Sequence, residues 1–170
     1  RQKKTKLAGG LIIGCPWDYR GCVRRRDNFP KALAKLDKSA KIVKAYPTKG
    51  FGPTEGYDVA TQVVPAMKGK FNFVYTLNDA IGLGVIKALK ENGLKPGKDV
   101  FVVGGTCLGR ATNKAVLTGE LAGTAVQSPF VEGQLTVITL AQYLNNGGKV
   151  TPGRTNVAAG KPPSLNQPPH

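Results

Sequence analysis

The chain has 170 residues, 41% hydrophobic and 21% charged, and no apolar run approaches the length of a membrane span. That length suits one well-buried domain with an appendage rather than two full domains. The formal net charge of +15 invites nucleic acid, anionic lipid or an acidic protein surface. The lysines, however, are spread over surface-like helical positions and turns, and only residues 1–6 and Arg24 to Arg26 cluster, with no aromatic-interleaved basic helix among them. The charge reads as solvated surface, and nucleic acid is not expected as a partner.

Leu7 to Ile13 is a short, apolar, glycine-rich first strand, followed by a loop over Gly14 to Gly21 that carries Pro16, Trp17, Asp18 and Tyr19. From about Asp27 or Asn28 the pattern turns helical, with Phe29, Ala32, Leu33 and Leu36 at three- and four-residue spacing and Pro30 tolerable only in the first turn. Lys41 to Tyr46 is a second strand, and Pro47 to Pro53 a loop centred on Gly50, Phe51 and Gly52. Thr54 is placed to cap a helix through Tyr57, Ala60 and Val64 that Pro65 ends or kinks. The apolar run ending at Thr76 is a third strand. Asn78-Asp79 then caps a helix that runs to the stop signal Asn92-Gly93. Val100 to Val103 is a fourth strand, Ala111 to Thr118 a short helix ended by Gly119, and Leu121 to Val126 a fifth strand.

Strands alternating with helices predict a three-layer α/β domain, a parallel sheet flanked by helices with right-handed crossovers, over residues 1–126. Residues 127–157 read as a hinge, a strongly amphipathic helix (Phe130 to Leu144) and a return strand (Val150 to Val157). Residues 158–170 form a proline-rich tail.

Three cysteines allow at most one intramolecular disulfide. Cys15 and Cys22 flank a turn and are able to close a small loop, leaving Cys107 free. No apolar segment of the signal-peptide kind follows the first six residues, so either the protein is cytoplasmic or the chain is already processed or cut.

No catalytic set assembles, because the single histidine is the terminal His170. No His/Cys spacing matches a zinc site, and Gly82-x-Gly84 and Gly104-Gly105 are neither a dinucleotide fingerprint nor a P-loop. No enzyme activity, cofactor or metal is therefore expected. What does recur is a polar or aromatic residue at each strand end. Trp17, Asp18 and Arg25 follow the first strand, Phe51 the second, Asn78 and Asp79 the third, Thr106 and Cys107 the fourth, and Gln127 the fifth. Helix caps and turn formers account for one or two of these, but not for all five ends. Donors, acceptors and flat rings without a nucleophile or base suit a small polyhydroxylated ligand.

The stretches Arg25 to Phe29, Gly56-Tyr57-Asp58-Val59, Asn78-Asp79-Ala80-Ile81-Gly82-Leu83-Gly84, Val102-Val103-Gly104-Gly105 and Gly119-Glu120-Leu121 through Thr124-Ala125-Val126-Gln127 carry a resemblance. Over residues 7–157 the chain resembles the C-terminal lobe of the type I periplasmic sugar-binding proteins, the ribose-binding-like family whose flavodoxin-like fold is shared with lac-repressor effector domains. The resemblance implies a sugar clamped between two lobes, with Arg25 and Asn78 hydrogen-bonding it, Phe51 stacking on it, Gln127 at the hinge and Asp79 left to cap and support. It also implies a membrane permease as partner and a periplasmic or extracellular location. Thr106 stands where the family usually has an acid, which leaves room for another polyol, a modified sugar or an anionic ligand. The family's first lobe has no counterpart here, and the helix Phe130 to Leu144 looks like the one that crosses back onto that lobe, so the chain is expected to be a fragment of a longer protein or else to fold back or oligomerise to hide that helix's apolar face. The alternative is the effector-binding half of a lac-repressor-like regulator, which would follow a helix-turn-helix segment. An enzyme on a flavodoxin-like fold would need a phosphate-cradling loop after the first strand, and Cys15-Pro16-Trp17-Asp18 is not one.

Overall fold

Five short apolar runs become the strands β1 (Gly9–Gly14), β2 (Lys41–Pro47), β3 (Phe73–Thr76), β4 (Phe101–Val103) and β5 (Leu121–Gly123) of the computed structural model. The structure describes residues 7, 9–106, 109–125, 127 and 129–149. All neighbouring strands pair in parallel, in the order β2-β1-β3-β4-β5. The helices α1 (Arg20–Leu36), α2 (Pro53–Ala66), α3 (Asp79–Glu91) and α4 (Arg110–Leu117) connect them. The parallel α/β sheet expected from the alternating pattern is present.

Right-handed crossovers decide the layers. β1 to β2 moves one way along the sheet and every later connection moves the other, so α1 lies on one face and α2, α3 and α4 on the opposite one. Side chains follow the pleat. Tyr75 of β3 stacks on Phe29 of α1 with ring centroids 3.8 Å apart. Its neighbour Val74 joins Leu11, Ile13 and Val102, all fully buried, on the other side beneath Ile81, Val85 and Leu89 of α3.

α2 and α3 approach closely because two glycines permit it. A methyl group on Gly84 would fall on the Pro53 carbonyl oxygen and lie 2.6 Å from the Tyr57 nitrogen, and one on Gly56 would meet the Ile81 carbonyl. The second glycine of Gly82-x-Gly84 is therefore a packing residue.

Two helix starts differ from expectation. α1 begins at Arg20, not near Asp27, and places Pro30 in its interior. Pro30 lacks the N–H that would bond back one turn, a defect that usually ends a helix. Here the earlier turns are held from outside, by the Cys15–Cys22 disulfide and by Arg25 donating to the Leu77 carbonyl at 3.1 Å. α2 is capped by Gly52 with Pro53 as its first residue, so Thr54 is already inside it. Proline's fixed φ and missing donor suit that first position. Pro65 stands one residue before the end of α2, and Asn92 with Gly93 (φ 73°) ends α3, both as the sequence indicates.

The chain divides into two units, Arg1–Val126 and Gln127–His170. The second contains α5 (Pro129–Asn145), none of whose residues is buried. Val131, Leu135, Ile138 and Ala141 are half-buried, whereas Phe130, Val137, Leu140 and Leu144 are exposed. Apolar residues thus occupy more than one side of α5, and the single apolar face expected of it is not what the structure shows. The expected strand at Val150 to Val157 and the proline-rich tail lie outside the described residues.

Candidate functional site at the carboxyl ends of the strands

In a parallel sheet ordered 2-1-3-4-5, the connections leaving β1 and β3 run in opposite directions and open a crevice beyond their carboxyl ends. The turn after β1 (Cys15 to Tyr19) and the short link after β3 (Leu77 and Asn78) stand there.

These ends are laced together by side chains. The Thr48 hydroxyl lies 2.8 Å from the Gly14 carbonyl and 2.6 Å from that of Gly50, joining the ends of β1 and β2. Asn78 Nδ2 donates to the Phe51 carbonyl at 2.9 Å, joining the loop after β2 to the end of β3. Its Oδ1 accepts from the Ile81 N–H at 2.8 Å, so Asn78 is the N-cap of α3. The cap expected of Asp79 therefore belongs to Asn78. An Asn oxygen one residue before the helix reaches the third helical N–H, whereas Asp79 already has helical geometry.

Asp79 instead ties β3 to β4 and to the segment after β5. Its N–H donates to the Thr106 carbonyl at 3.0 Å, and its Oδ1 accepts from the Thr106 N–H at 3.2 Å and from Thr124 Oγ1 at 2.6 Å. Among the described residues its buried Oδ2 has no hydrogen-bond partner. Burial holds the Asp79 carboxyl above its usual range, and the bonds from Thr124 and Thr106 pull it part of the way back. Burial likewise raises the Tyr75 phenol, with Arg25 acting against it.

Lacing uses both polar ends of the Asn78 amide, but it leaves other groups facing outward. The Phe51 ring is 48% exposed and meets Tyr19, 57% exposed, edge-on at 5.7 Å. Arg25 is half-buried and commits one nitrogen to Leu77, leaving further donors on its fork. The structure thus gathers Arg25, Phe51 and Asn78 around one crevice. Thr106 is buried, at 4% exposure, and joins them through Asp79. Trp17 is half-buried under the Arg26 guanidinium, which sits 4.7 Å from its ring. Its indole N–H is buried without a partner among the described residues, and Asp18 beside it is exposed. Gln127 is exposed and belongs to the second unit. Cys107 lies outside the described residues.

Sequence reasoning left Tyr19 out of the site, along with the lacing residues Thr48 and Thr124. Tyr19 is recognisable only once α1 is started at Arg20, because that makes it the N-cap residue at the crevice. A guanidinium fork, a pair of exposed rings and backbone groups held rigid by side-chain bonds can bind a flat ring edged with hydroxyls.

A parallel 2-1-3-4-5 sheet with its polar rim at the β1/β3 switch is the flavodoxin-like arrangement, and it matches one lobe of solved periplasmic sugar-binding proteins. Residues 20–149 match the periplasmic binding protein domain family, and the chain belongs to it. It is 36% identical over 128 residues to the ribose import binding protein of Haemophilus influenzae, covering 74% of this chain and 40% of that relative. It is 31% identical over 114 residues to a galactofuranose-binding protein of Escherichia coli, covering 65% and 35%. Among solved structures it is similar, with a TM-score of 0.73 and 25% identity, to the periplasmic binding component of an arabinose ABC transporter from a Shewanella species, bound to α- and β-L-arabinofuranose. That likeness covers 85% of this chain and 47% of the other. The chain spans well under half the length of the curated relatives it matches. These relatives are binding proteins rather than enzymes, and their family is periplasmic.

Proposed function

We propose that this chain is one lobe of a sugar-binding protein serving an ABC importer, and that its ligand is a pentose or a furanose. The observation that carries the reading is the crevice at the β1/β3 switch, where Arg25, Phe51 and Tyr19 face outward on a frame fixed by Asn78 and Asp79. The ligands for which three relatives are named, ribose, galactofuranose and arabinofuranose, support the sugar class. In this reading Arg25 donates to ring hydroxyls, Phe51 and Tyr19 cover an apolar sugar face, and Asn78 presents the Phe51 loop. Asp18, Trp17 and Thr106 line or support the rim. A second lobe closes over the ligand, with the segment at Gln127 as hinge, in a two-state motion biased by contacts that only the closed form makes. The function is binding and delivery to a permease, without catalysis.

The Cys15–Cys22 disulfide supports a periplasmic or extracellular setting, since such bonds persist in oxidising compartments, and it weighs against a cytoplasmic regulator of the same fold. Titration calorimetry of this chain, and of the chain joined to an N-terminal lobe of its relatives, against ribose, arabinose and galactose is the test. Weak binding by the lobe and tight binding by the two-lobed form are expected. Absence of heat from both, with every sugar, would overturn the proposal.

A further inference from the structure

The rim residues Trp17, Asp18 and Tyr19 all lie inside the loop that the Cys15–Cys22 disulfide closes, at a sequence separation of 7. Cys15 directly follows β1, Cys22 is the third residue of α1, and both are fully buried. The hydrogen bonds of this loop stay within it and the first turn of α1. The Tyr19 N–H donates to the Pro16 carbonyl at 3.2 Å, and the Tyr19 carbonyl accepts from the Cys22 and Val23 N–H groups at 2.9 and 3.2 Å. Tyr19 makes no side-chain cap bond, and the buried Trp17 indole N–H has no partner among the described residues. Ring contacts alone reach beyond that first turn, Arg26 over Trp17 and Tyr19 edge-on to Phe51. The disulfide is therefore the strong fastening of this part of the rim. Arg25, one turn further along α1, has its own bond to Leu77.

We propose, on the sugar-binding reading above, that Cys15 and Cys22 are positioning residues for the ligand. Their disulfide holds Trp17, Asp18 and Tyr19 in the binding conformation before the ligand arrives, so the affinity of the crevice depends on the redox state of this pair. Without the bond the loop samples other conformations and has to be ordered on binding, a cost that appears as lost affinity. Fixing the backbone of one residue costs about tenfold. Arg25 keeps its own anchor, so binding weakens rather than vanishes. Because both sulfurs are buried, a thiolate reaches them only when the loop opens, and a ligand seated on the closed loop opposes that opening. Linkage makes the two effects equal: the factor by which the disulfide favours the ligand is the factor by which the ligand favours the disulfide.

The test compares the full chain oxidised, reduced by dithiothreitol, and with Cys15→Ala plus Cys22→Ala, each titrated with ribose and L-arabinose by amide chemical shift. In the exchange the dithiol hydrogens pass to the two cysteine sulfurs and dithiothreitol closes to its cyclic disulfide. Reduction and the double variant should each weaken sugar binding by about tenfold, and the reductant should change nothing further in the variant. Leu89→Ala, in the fully buried core at the far end of α3, should lower stability while leaving affinity unchanged, which separates positioning from general destabilisation. On the unmutated chain in a dithiothreitol redox buffer, saturating sugar should move the thiol-to-disulfide ratio, read by alkylation and mass, about tenfold toward the disulfide. Equal affinities in the oxidised and reduced chains, the same loss in Leu89→Ala, or a ratio that sugar does not move would overturn the proposal. Loop order is read without sugar, by amide relaxation at Trp17 to Gly21, which should show a rigid loop when bonded and a mobile one when reduced. A loop equally rigid in both states would overturn the proposal whatever the sugar does. A loop that loosens in a chain binding no sugar in either state would contradict the sugar reading and leave the clamp standing.

Discussion

Replacing Asp79 by alanine tests whether the frame beneath the crevice is held as described. The substitution removes the acceptor shared by the buried Thr106 N–H and the Thr124 hydroxyl, and so unties β3 from β4 and from the segment after β5. A bond to a charged acceptor contributes about 1.5–3 kcal/mol, and relief from burying a carboxylate with one partnerless oxygen offsets part of the loss. The net cost should be about 3 kcal/mol. With a urea slope of about 2 kcal/mol per molar, the midpoint should fall by about 1.5 M. The fluorescence of the single tryptophan, Trp17, packed under Arg26, reports the transition. Asp79→Asn keeps an oxygen for both donors and should stay within about 1 kcal/mol of the parent. It also separates charge from geometry. Because the folded-state pKa is raised above the ordinary 3.8, the folded chain holds a proton that the unfolded chain has already lost between those two values. The Asp79 contribution to stability is therefore greatest below pH 3.8 and falls as pH rises through the raised value. The stability of the parent relative to Asp79→Asn should decline across that window and level off above it. An unchanged midpoint for Asp79→Ala, or a difference that grows with pH, would refute the account of this site.

Gly84→Ala forces α2 and α3 apart at the Pro53 carbonyl and should cost about 3 kcal/mol or more, read as a fall in thermal midpoint. Gly133→Ala in α5, where a methyl meets nothing, should raise helix content by a helix-propensity gain of up to about 1 kcal/mol in circular dichroism. Cys15→Ser with Cys22→Ser opens a loop of sequence separation 7 and should cost about 2.5 kcal/mol in urea, and a reductant should shift the parent by the same amount. Phe51→Ala and Tyr19→Ala, both on exposed rings, should each weaken sugar binding in calorimetry by about tenfold while leaving the urea midpoint nearly unmoved.

The α/β alternation, the parallel sheet and the helix stops at Asn92-Gly93 and Gly119 were legible because hydrophobic period and glycine punctuation are local signals. Where a local signal met a longer-range contact, the contact decided. Pro30 looked like a first-turn residue until a disulfide and the Arg25 bond to Leu77, 52 positions away, held the turns before it. The Asn78-Asp79 pair announced a cap but not which member makes it. That is set by Asp79 reaching Thr106 and Thr124, 27 and 45 residues on. Gly82-x-Gly84 was visible as part of the stretch that carries the resemblance and as something short of a nucleotide motif, but its packing role was not, since nothing in sequence shows Gly84 facing the Pro53 carbonyl. Tyr19 was missed for the same reason as the start of α1.

The central claim is that the crevice beyond β1 and β3 is a sugar-binding face. An amide chemical-shift titration of this chain with ribose and L-arabinose tests it most directly, because shifts report weak binding residue by residue. Shifts are expected at Trp17 to Arg25, at Phe51 and Gly52, and from Leu77 to Asp79, abolished by Arg25→Ala. Saturating sugar that leaves these amides unmoved, or moves a set remote from the crevice, would contradict it.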